Sequence, residues 1–366
     1  MLKTAVNSFH REQNARMVEY AGWDMPLFYA MGATEEHRLV RRSAGLFDVS
    51  HMGRFRIKGS GSASFLDYLI TSDVRSLKIG QSGYGLLLNR DGGIIDDIFL
   101  YHTGPEDYIL VVNASNLNKD LDWLNEHKSA YDVTVTDESP ETSLFALQGP
   151  RVLPVLEILT GQNLQDEWDR FGIREFLFED IPFLAGRTGY TGEDGVEIFV
   201  SNDKALALWK SLLEKFSLHC EIAPCGLASR DSLRFEPGFP LYGHEMNESI
   251  LPPQALLKWA CYLESDFIGK EALMALLEKG LETKLITLSL IEKGVPREGY
   301  EVLSKEGEVI GQVVSGLYAP TVDKYCANAF VPVAFAKAGT ELQVSLRGQP
   351  KMAVVEKRPL YKPVYR

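Results

Sequence analysis

Three carboxylates occur where strands are expected, and they are the residues of this sequence that point to chemistry. Asp96 and Asp97 stand together inside the apolar run 94–101, and Glu197 lies inside the run 196–199. Successive side chains of a strand point to opposite faces, so one aspartate of the pair faces inward. A carboxylate in an apolar interior is costly unless it has a partner or a role. The alternative is that all three lie at strand ends or edges and are solvated.

The segment that leads into Glu197 has the composition of a tight loop. Gly189, Gly192 and Gly195 recur at every third position, and a strand is expected to follow them. If that strand is covered on both faces, Glu197 is a buried carboxylate. Such a group can accept two parallel hydrogen bonds from an amidine-like edge, for example the amino and ring N–H groups of a pterin.

Two arginines suggest a place for an anion. Arg230 and Arg234 lie four residues apart in a segment, 225–235, that is predicted to be helical, so they share one helix face. They either bind the anionic tail of a ligand or pair with acidic neighbours. The residues alone favour the pairing.

The elements that must position these residues follow a repeated order. Residues 84–113 read as three apolar strands, and the turn 89–93, Asn-Arg-Asp-Gly-Gly, joins the first two. The order strand, helix, three strands, helix occurs from about residue 54 and again from about residue 144, which indicates two related α+β units. After about residue 280, short alternating runs separated by Gly, Pro and Lys-Glu-Gly turns predict a small β-barrel or jelly roll.

Composition narrows the class of protein. The chain has 366 residues, 45% of them hydrophobic and 24% charged, which suits a globular protein of two or three domains. A formal net charge of −12 disfavours nucleic acid or an anionic membrane as the main partner. The four cysteines form no CxxC pair, and no apolar run reaches the roughly 18 residues of a membrane helix. A cytoplasmic location is expected.

Several common motifs are missing or incomplete. His244 and Glu245 lack the second histidine of a metalloprotease helix, and the seven histidines show no shared ligand spacing, so no metal is predicted. The segment Gly59–Ser62 lacks the third glycine of a dinucleotide loop and is explained by a turn and a helix N-cap. Neither a Gly-x-Ser-x-Gly elbow nor a P-loop occurs.

Taken together, the segments resemble the aminomethyltransferase, or T-protein, family of the glycine cleavage system. The segments that carry this resemblance extend over nearly the whole chain and occur in the family's order. They are Ala21–Pro26, Gly45–Gly53, Gly92–Asp97, Val111–Ala114, Ala146–Pro150, Arg187–Glu197, Arg230–Arg234, Leu241–Gly243 and Phe267–Lys270.

The resemblance implies a fold and a reaction. The implied fold is a three-domain cloverleaf around a central folate cavity, with two interleaved α+β domains in residues 1–280 and a C-terminal β-barrel in residues 281–366. In the implied reaction, tetrahydrofolate is the co-substrate and takes the carbon of an aminomethyl group carried on the lipoyl arm of the H-protein. The products are 5,10-methylenetetrahydrofolate, ammonia and dihydrolipoyl H-protein. A monomer is expected.

The resemblance also implies roles for individual residues. Asp97 matches the family's catalytic acid, whose carboxylate stabilises a cationic, iminium-like transition state and relays a proton. Tyr84 and Asn113 match residues that line the pterin and its linker. Glu197 matches the pterin-binding carboxylate, and Tyr190 matches its ring-packing neighbour. Arg230 and Tyr242 match residues near the glutamyl tail.

The chain departs from the family pattern in one stretch. At residues 251–259 the family usually has Thr-Pro-Leu-Glu-Ala-Gly-Leu-Gly-Trp, whereas this chain has Gln254, Leu256 and Lys258, and Tyr262 replaces a common lysine. These changes bear on the donor side of the reaction. They keep open a folate-dependent demethylase that uses another one-carbon donor. A non-transferase relative of the iron–sulfur assembly type is disfavoured, because its Lys-Gly-Cys-Tyr-x-Gly-Gln signature is absent.

Overall fold

The computed structural model describes residues 1–365 of the chain. This range contains nineteen strands and nine α-helices. The helices are α1 Asn7–Glu12, α2 Ala33–Arg42, α3 Ser62–Leu69, α4 Leu117–His127, α5 Val152–Thr160, α6 Leu164–Glu167, α7 Asn202–Ser217, α8 Leu227–Phe235 and α9 Lys270–Lys279. Short 3₁₀ helices lie at Ala114–Asn116, Lys128–Ala130, Lys258–Ala260 and Val333–Phe335. None of the helices in this described range has the length and apolar composition needed to cross a bilayer.

The strands fall into two sheets, a hairpin and a barrel. They are β1 Arg16–Tyr20, β2 Trp23–Phe28, β3 Ala44–Asp48, β4 Gly53–Lys58, β5 Gln81–Leu88, β6 Ile94–Gly104, β7 Asp107–Val112, β8 Thr134–Asp137, β9 Thr142–Gln148, β10 Ile173–Phe178, β11 Ile181–Gly186, β12 Gly195–Ser201, β13 Ile222–Cys225, β14 Thr283–Leu290, β15 Glu301–Leu303, β16 Val309–Ala319, β17 Lys324–Pro332, β18 Glu341–Leu346 and β19 Gln349–Val355. The β1–β2 pair is the isolated hairpin.

The contacts within the chain divide it into two units. The first comprises Met1–Leu66, Asp73–Tyr84 and Ile98–Leu233, and the second comprises Asp67–Ser72, Gly85–Asp97 and Arg234–Arg366. Each unit is therefore assembled from separate stretches of sequence. The domain boundary expected near residue 280 stays a prediction.

The predicted repeat of elements is confirmed by the sheet topology. One sheet has the strand order β5–β6–β7–β4–β8, and the other has the order β10–β11–β12–β9–β3–β13. Strands β5, β6, β7 and β4 of the first sheet correspond, in position and in chain order, to β10, β11, β12 and β9 of the second. A helix follows β7, and another follows β12. Asp97 lies on β6 and Glu197 on β12. Because β6 corresponds to β11, these two carboxylates do not occupy equivalent places in the repeat.

In the first unit, an apolar layer packs between strands of the two sheets. Its buried members include residues of β3, β7, β9 and β12, together with Tyr101 of β6. The other face of the six-stranded sheet packs against α5 and α7 around the fully buried Trp209. Strand β12 is thus covered on both faces, which is why Gly195 through Val200 are all buried. Burial of this kind fits the nearly continuous apolar run in its sequence.

In the second unit, the C-terminal residues close into a barrel, as the sequence predicted. The strand order is β14–β17–β16–β15–β18–β19, and β19 pairs back to β14. Alternate residues point inward and form the barrel core, which includes Leu288, Val313, Ala329, Val344 and Ala353. Closure leaves no free sheet edge.

Two of the unusual residues at 254–258 differ in how well they suit their places in the second unit. The Gln254 amide donates to Thr283 Oγ1 at 3.0 Å and its Oε1 accepts from the Leu251 amide at 3.0 Å. Leu256 has φ +65°, in the left-handed region where the family usually has glycine. A side chain at such a φ costs about 1–2 kcal/mol, because Cβ approaches the following carbonyl.

We therefore expect Leu256→Gly to be about 1 kcal/mol more stable than Leu256→Ala, because glycine removes the Cβ strain and both variants lose the same leucine packing. Urea-induced unfolding measures the difference. The matched control is Ala275→Gly on the exposed face of α9, which should cost about 1 kcal/mol. Equal stability of the two Leu256 variants would contradict the strain argument.

Candidate active site

The strand that carries the aspartate pair begins at a fixed hairpin in the second unit. Asn89 Oδ1 accepts from the Gly93 amide at 2.9 Å, and the Ile94 amide donates to the carbonyls of Asn247 and Ile250. A Cβ on Gly93 would lie 1.7 Å from the Glu248 carbonyl oxygen, so only glycine fits at this close approach. The start of β6 is therefore held in place.

The two aspartates differ in burial. Asp96 is fully buried, whereas Asp97 is partly exposed. The alternative in which both are simply solvated is therefore wrong. Alternation along β6 leaves Asp97 as the member of the pair with access to a ligand.

Glu197 is a buried carboxylate on a central strand. Strand β12 lies between β11 and β9, so the alternative of an edge strand facing water is wrong. The Glu197 Oε2 atom accepts hydrogen bonds from Thr188 Oγ1 at 2.6 Å and from the Tyr101 hydroxyl at 3.0 Å. The Oε1 atom accepts no hydrogen bond from any residue in 1–365. The sequence left open whether this carboxylate is buried, and it did not indicate the two hydroxyl donors.

The glycine-rich loop is fastened to the sheet by Gln148. The side-chain amide of Gln148 donates to the Thr188 carbonyl at 3.0 Å, and its Oε1 accepts from Thr191 Oγ1 at 2.9 Å. An ion pair between Arg187 and Asp194, 2.8 Å long, closes the base of the loop. This arrangement fixes Tyr190, which lies at the middle of the loop.

Arg230 stacks on Tyr190. Its Cζ lies 5.0 Å from the centroid of the Tyr190 ring, a cation–π contact. The Arg230 Nη1 atom is buried and has no hydrogen-bond partner, and the guanidinium pairs with no carboxylate of residues 1–365. The structural pairing that the residues alone favoured is therefore not found for Arg230. It is found for Arg234, whose Nη1 lies 2.9 Å from Glu245 Oε2 inside the second unit.

The beginning of α8, the helix that carries Arg230, is held by a buried glutamate. Glu36 of α2 accepts from the Gly226 amide at 2.9 Å, from Ser229 Oγ at 2.8 Å and from the Tyr29 amide at 2.6 Å. Burial raises the pKa of Glu36, although these three donors act in the opposite direction. The helix therefore has a defined start one turn before Arg230.

The remaining predicted residues are distributed over both units. In the first unit, the ring centroids of Tyr84 and Phe99 lie 6.3 Å apart, and the Phe99 ring in turn contacts the Tyr101 ring. Asn113 follows β7 in an extended conformation, and its carbonyl accepts from the Asn116 amide. Asp97 and Tyr242 belong to the second unit. Within residues 1–365, no group of three or more His, Cys, Asp or Glu side chains is arranged to hold a metal ion.

Comparisons with known proteins cover the whole chain. A family model described as the GCVT N-terminal domain matches residues 6–265. A second, described as the glycine cleavage T-protein C-terminal barrel domain, matches residues 284–362. The chain belongs to the glycine cleavage T-protein family.

Relatives agree with this assignment. The aminomethyltransferase of Herpetosiphon aurantiacus is 42% identical, with 100% of both chains covered. That of Symbiobacterium thermophilum is 40% identical over 100% of this chain and 98% of its own. A crystal structure of glycine cleavage system aminomethyltransferase T from Bartonella henselae has a TM-score of 0.91 at 33% identity, covering 99% of this chain and 98% of that chain. As a member of the T-protein family, the chain is a tetrahydrofolate-dependent aminomethyltransferase, which confirms the prediction.

His51 is a buried residue beside the site to which the sequence gave no separate role. It is 5% exposed, its Nδ1 has no hydrogen-bond partner, and its ring meets Tyr20 edge-on at 5.4 Å. Burial lowers the pKa of His51 from 6.5 to about 4; the Asp48 carboxylate opposes this shift, whereas Arg230 and Arg54 add to it. His51 is therefore neutral at pH 7.

This buried histidine predicts a loss of stability in mild acid. Between pH 6.5 and about 4 the unfolded chain binds a proton at His51 that the folded chain does not, so the free energy of unfolding falls as the pH falls. From pH 7 to pH 5 the loss due to His51 is about 2 kcal/mol. Urea titrations at both pH values should show this loss for the wild type and a correspondingly smaller one for His51→Gln. An identical pH dependence in the two proteins would contradict a neutral, buried His51.

Proposed function

We propose that this chain transfers the one-carbon unit of the aminomethyl group on the lipoyl arm of the H-protein to tetrahydrofolate, with Asp97 as the catalytic acid. The products are 5,10-methylenetetrahydrofolate, ammonia and dihydrolipoyl H-protein. The observation that carries the proposal is a pair of unmatched polar atoms in the first unit. Glu197 Oε1 lacks a donor and Arg230 Nη1 lacks an acceptor among residues 1–365.

These two atoms fit the two polar ends of a reduced folate. A buried guanidinium N–H without an acceptor is costly, and a ligand that supplies an acceptor lowers that cost. The same ligand can use the acceptor position that remains open at Glu197 Oε1. The N–H edge of the pterin supplies donors for Glu197. The glutamyl carboxylates supply acceptors for Arg230, whose planar guanidinium suits a carboxylate.

The family resemblance supports folate-binding roles for four further residues. Tyr84 and Asn113 line the pterin and its linker, Tyr190 packs against the ring system, and Tyr242 contributes near the glutamyl tail. The ring of Tyr190 is already fixed by the fastened loop and by Arg230, which supports a preformed wall. An aromatic wall binds a planar ligand without losing much conformational entropy.

The catalytic role that we propose for Asp97 rests on its carboxylate. Bound tetrahydrofolate supplies the nitrogen atoms that accept the one-carbon unit. The Asp97 carboxylate places a negative charge where positive charge develops on the carbon, and it relays a proton to the amine that leaves as ammonia. The hydrogen bonds at the start of β6 hold the strand that carries this carboxylate.

The residues that depart from the family pattern do not favour a demethylase. Gln254 makes the local hydrogen bonds described above. The Tyr262 hydroxyl donates to Glu264 at 2.9 Å, and its amide donates to the Thr71 carbonyl at 2.7 Å. These contacts support structural roles for the altered residues. We therefore keep the lipoylated H-protein as the proposed partner, and the cytoplasm and a monomer as the proposed setting.

The decisive experiment measures ammonia release from H-protein that bears the aminomethyl-lipoyl arm, with and without tetrahydrofolate. We expect strong release that depends on the folate. Unmodified lipoyl H-protein is the matched control and should release none. Folate binding without any ammonia release would instead identify a paralogue with another one-carbon donor.

A further inference from the structure

One oxygen of Glu197 is fully used by the protein itself. A carboxylate oxygen has two lone-pair positions, and Oε2 receives one hydroxyl at 2.6 Å and another at 3.0 Å. The two donors come from distant parts of the chain, because Tyr101 precedes Glu197 by 96 residues and Thr188 precedes it by 9. A ligand that reaches this carboxylate therefore finds acceptor capacity at Oε1.

The protons of the two hydroxyls can be assigned. The oxygens of Tyr101 and Thr188 are also 3.0 Å apart, so either group has a second possible partner. Each hydroxyl carries a single proton. Both hydroxyls are therefore assigned as donors to Oε2 and not to each other, because hydrogen bonds to a charged acceptor are the stronger ones. Burial and the Glu197 charge raise the pKa of Tyr101 well above its ordinary value, so this phenol stays a donor.

The ring of Tyr101 reaches Glu197 because the residue opposite Glu197 is a glycine. Gly186 of β11 is the direct cross-strand partner of Glu197 on β12. A Cβ at position 186 would lie 2.6 Å from Tyr101 Cε1, so any larger residue would displace the ring. Phe199 packs edge-on against the same ring at 5.0 Å, and Tyr101 is 1% exposed. The hydroxyl is thus held at one place.

We propose that Tyr101 and Thr188 are positioning residues that occupy Oε2 of Glu197 and present Oε1 alone to the N–H edge of the pterin. Gly186 is the residue that makes room for this arrangement. The proposal rests on the folate-binding role proposed above for Glu197. The sequence predicts that Glu197 accepts two parallel hydrogen bonds from the pterin. With Oε2 occupied by the two hydroxyls, the pterin N–H groups both donate to Oε1.

The test measures the dissociation constant of 5-formyltetrahydrofolate, an oxidation-resistant reduced folate, by calorimetry. Tyr101→Phe removes one donor to Oε2 and should weaken binding about tenfold, because the carboxylate is then free to rotate. Thr188→Val should do the same, and Thr188→Ser should recover most of the loss. Gly186→Ala keeps both hydroxyls but displaces the ring, and should resemble Tyr101→Phe.

A double-mutant cycle separates positioning from general damage to the fold. In a Glu197→Gln background, Tyr101→Phe should change the dissociation constant less than twofold, since its effect passes through the carboxylate. The matched control is Tyr108→Phe, which removes a hydroxyl from a buried tyrosine on neighbouring β7 that donates to no residue in 1–365. Its binding should equal that of the wild type.

The possible failures are distinguishable. If the wild type binds no reduced folate, or if Glu197→Gln binds it as well as the wild type does, the folate-binding role of Glu197 and this inference are both wrong. If Glu197→Gln weakens binding and Tyr101→Phe does not, only the positioning role is wrong. An equal loss from Tyr101→Phe in both backgrounds would show that its effect does not pass through Glu197, and would also overturn the inference.

Discussion

Asp97→Asn is expected to lower kcat for ammonia release at least about 100-fold, the usual size of a lost acid–base group. Asparagine keeps the size and most of the hydrogen-bonding capacity of the side chain but carries no charge and holds no acidic proton. Ligand binding should be unaffected, because the proposed folate contacts belong to Glu197, Arg230 and the neighbouring aromatic residues. A parallel fall in kcat and kcat/KM would identify an interaction made only in the transition state.

The adjacent residue provides the matched control for this experiment. Asp96→Asn makes the same chemical change one position earlier on β6, at a side chain that is fully buried. We expect it to lower the melting temperature, because it disturbs a buried polar group, and to reduce kcat less than Asp97→Asn does. Collapse of folate affinity in the Asp97 variant, in proportion to the rate, would show that Asp97 binds the ligand and is not the catalytic acid.

Glu245→Gln is expected to cost about 3–5 kcal/mol of stability, because it leaves the Arg234 guanidinium buried without its counter-charge. Both side chains are almost completely buried in the second unit and lie 2.9 Å apart. Glu245 also accepts from the Leu241 amide at 2.9 Å, from Asn328 Nδ2 at 2.8 Å and from Ser315 Oγ. It therefore joins the loop that contains Tyr242 to two strands of the barrel.

The pH dependence of this pair has a definite sign. Burial acts to raise the pKa of Glu245, but the Arg234 charge and the hydrogen-bond donors outweigh it and hold the pKa below its ordinary value of 4.5. The stabilisation is therefore complete above that value and is lost as the pH falls through the lowered pKa of the folded state. Urea unfolding at neutral pH measures the effect of Glu245→Gln. Glu282→Gln, in the exposed pair with Lys279, is the control and should leave stability unchanged.

A Glu245 variant with wild-type stability would show that solvent relaxation compensates for the lost charge. The same variant also tests the link to function. If loss of the pair loosens the 241–245 loop, KM for the folate should rise because Tyr242 belongs to that loop, whereas kcat for bound substrate should change less. A fall in kcat without a rise in KM would contradict the link between Glu245 and the position of Tyr242.

The sequence by itself determined the local structures and the kinds of residue that are proposed for the chemistry. The turn 89–93 needs a glycine at position 92 for its positive φ and an asparagine at position 89 for the hydrogen bond to the Gly93 amide. Such short-range requirements are visible in any single sequence. The repeated order of strands and helices and the short alternating strands of the barrel follow from side-chain periodicity, which is also local. Asp97, Glu197 and Arg230 stood out because a charged residue in an apolar run contradicts its surroundings.

Only the tertiary structure decided which of these residues are paired. Arg230 and Arg234 look alike in sequence, yet one is locked to Glu245 and the other keeps an unpartnered Nη1. Which oxygen of Glu197 accepts hydrogen bonds from the protein itself depends on a tyrosine 96 residues away and on a glycine in the neighbouring strand. Burial and hydrogen-bond partners arise from long-range packing, which no local pattern encodes, and they decide which oxygen of a strand carboxylate is open to a ligand.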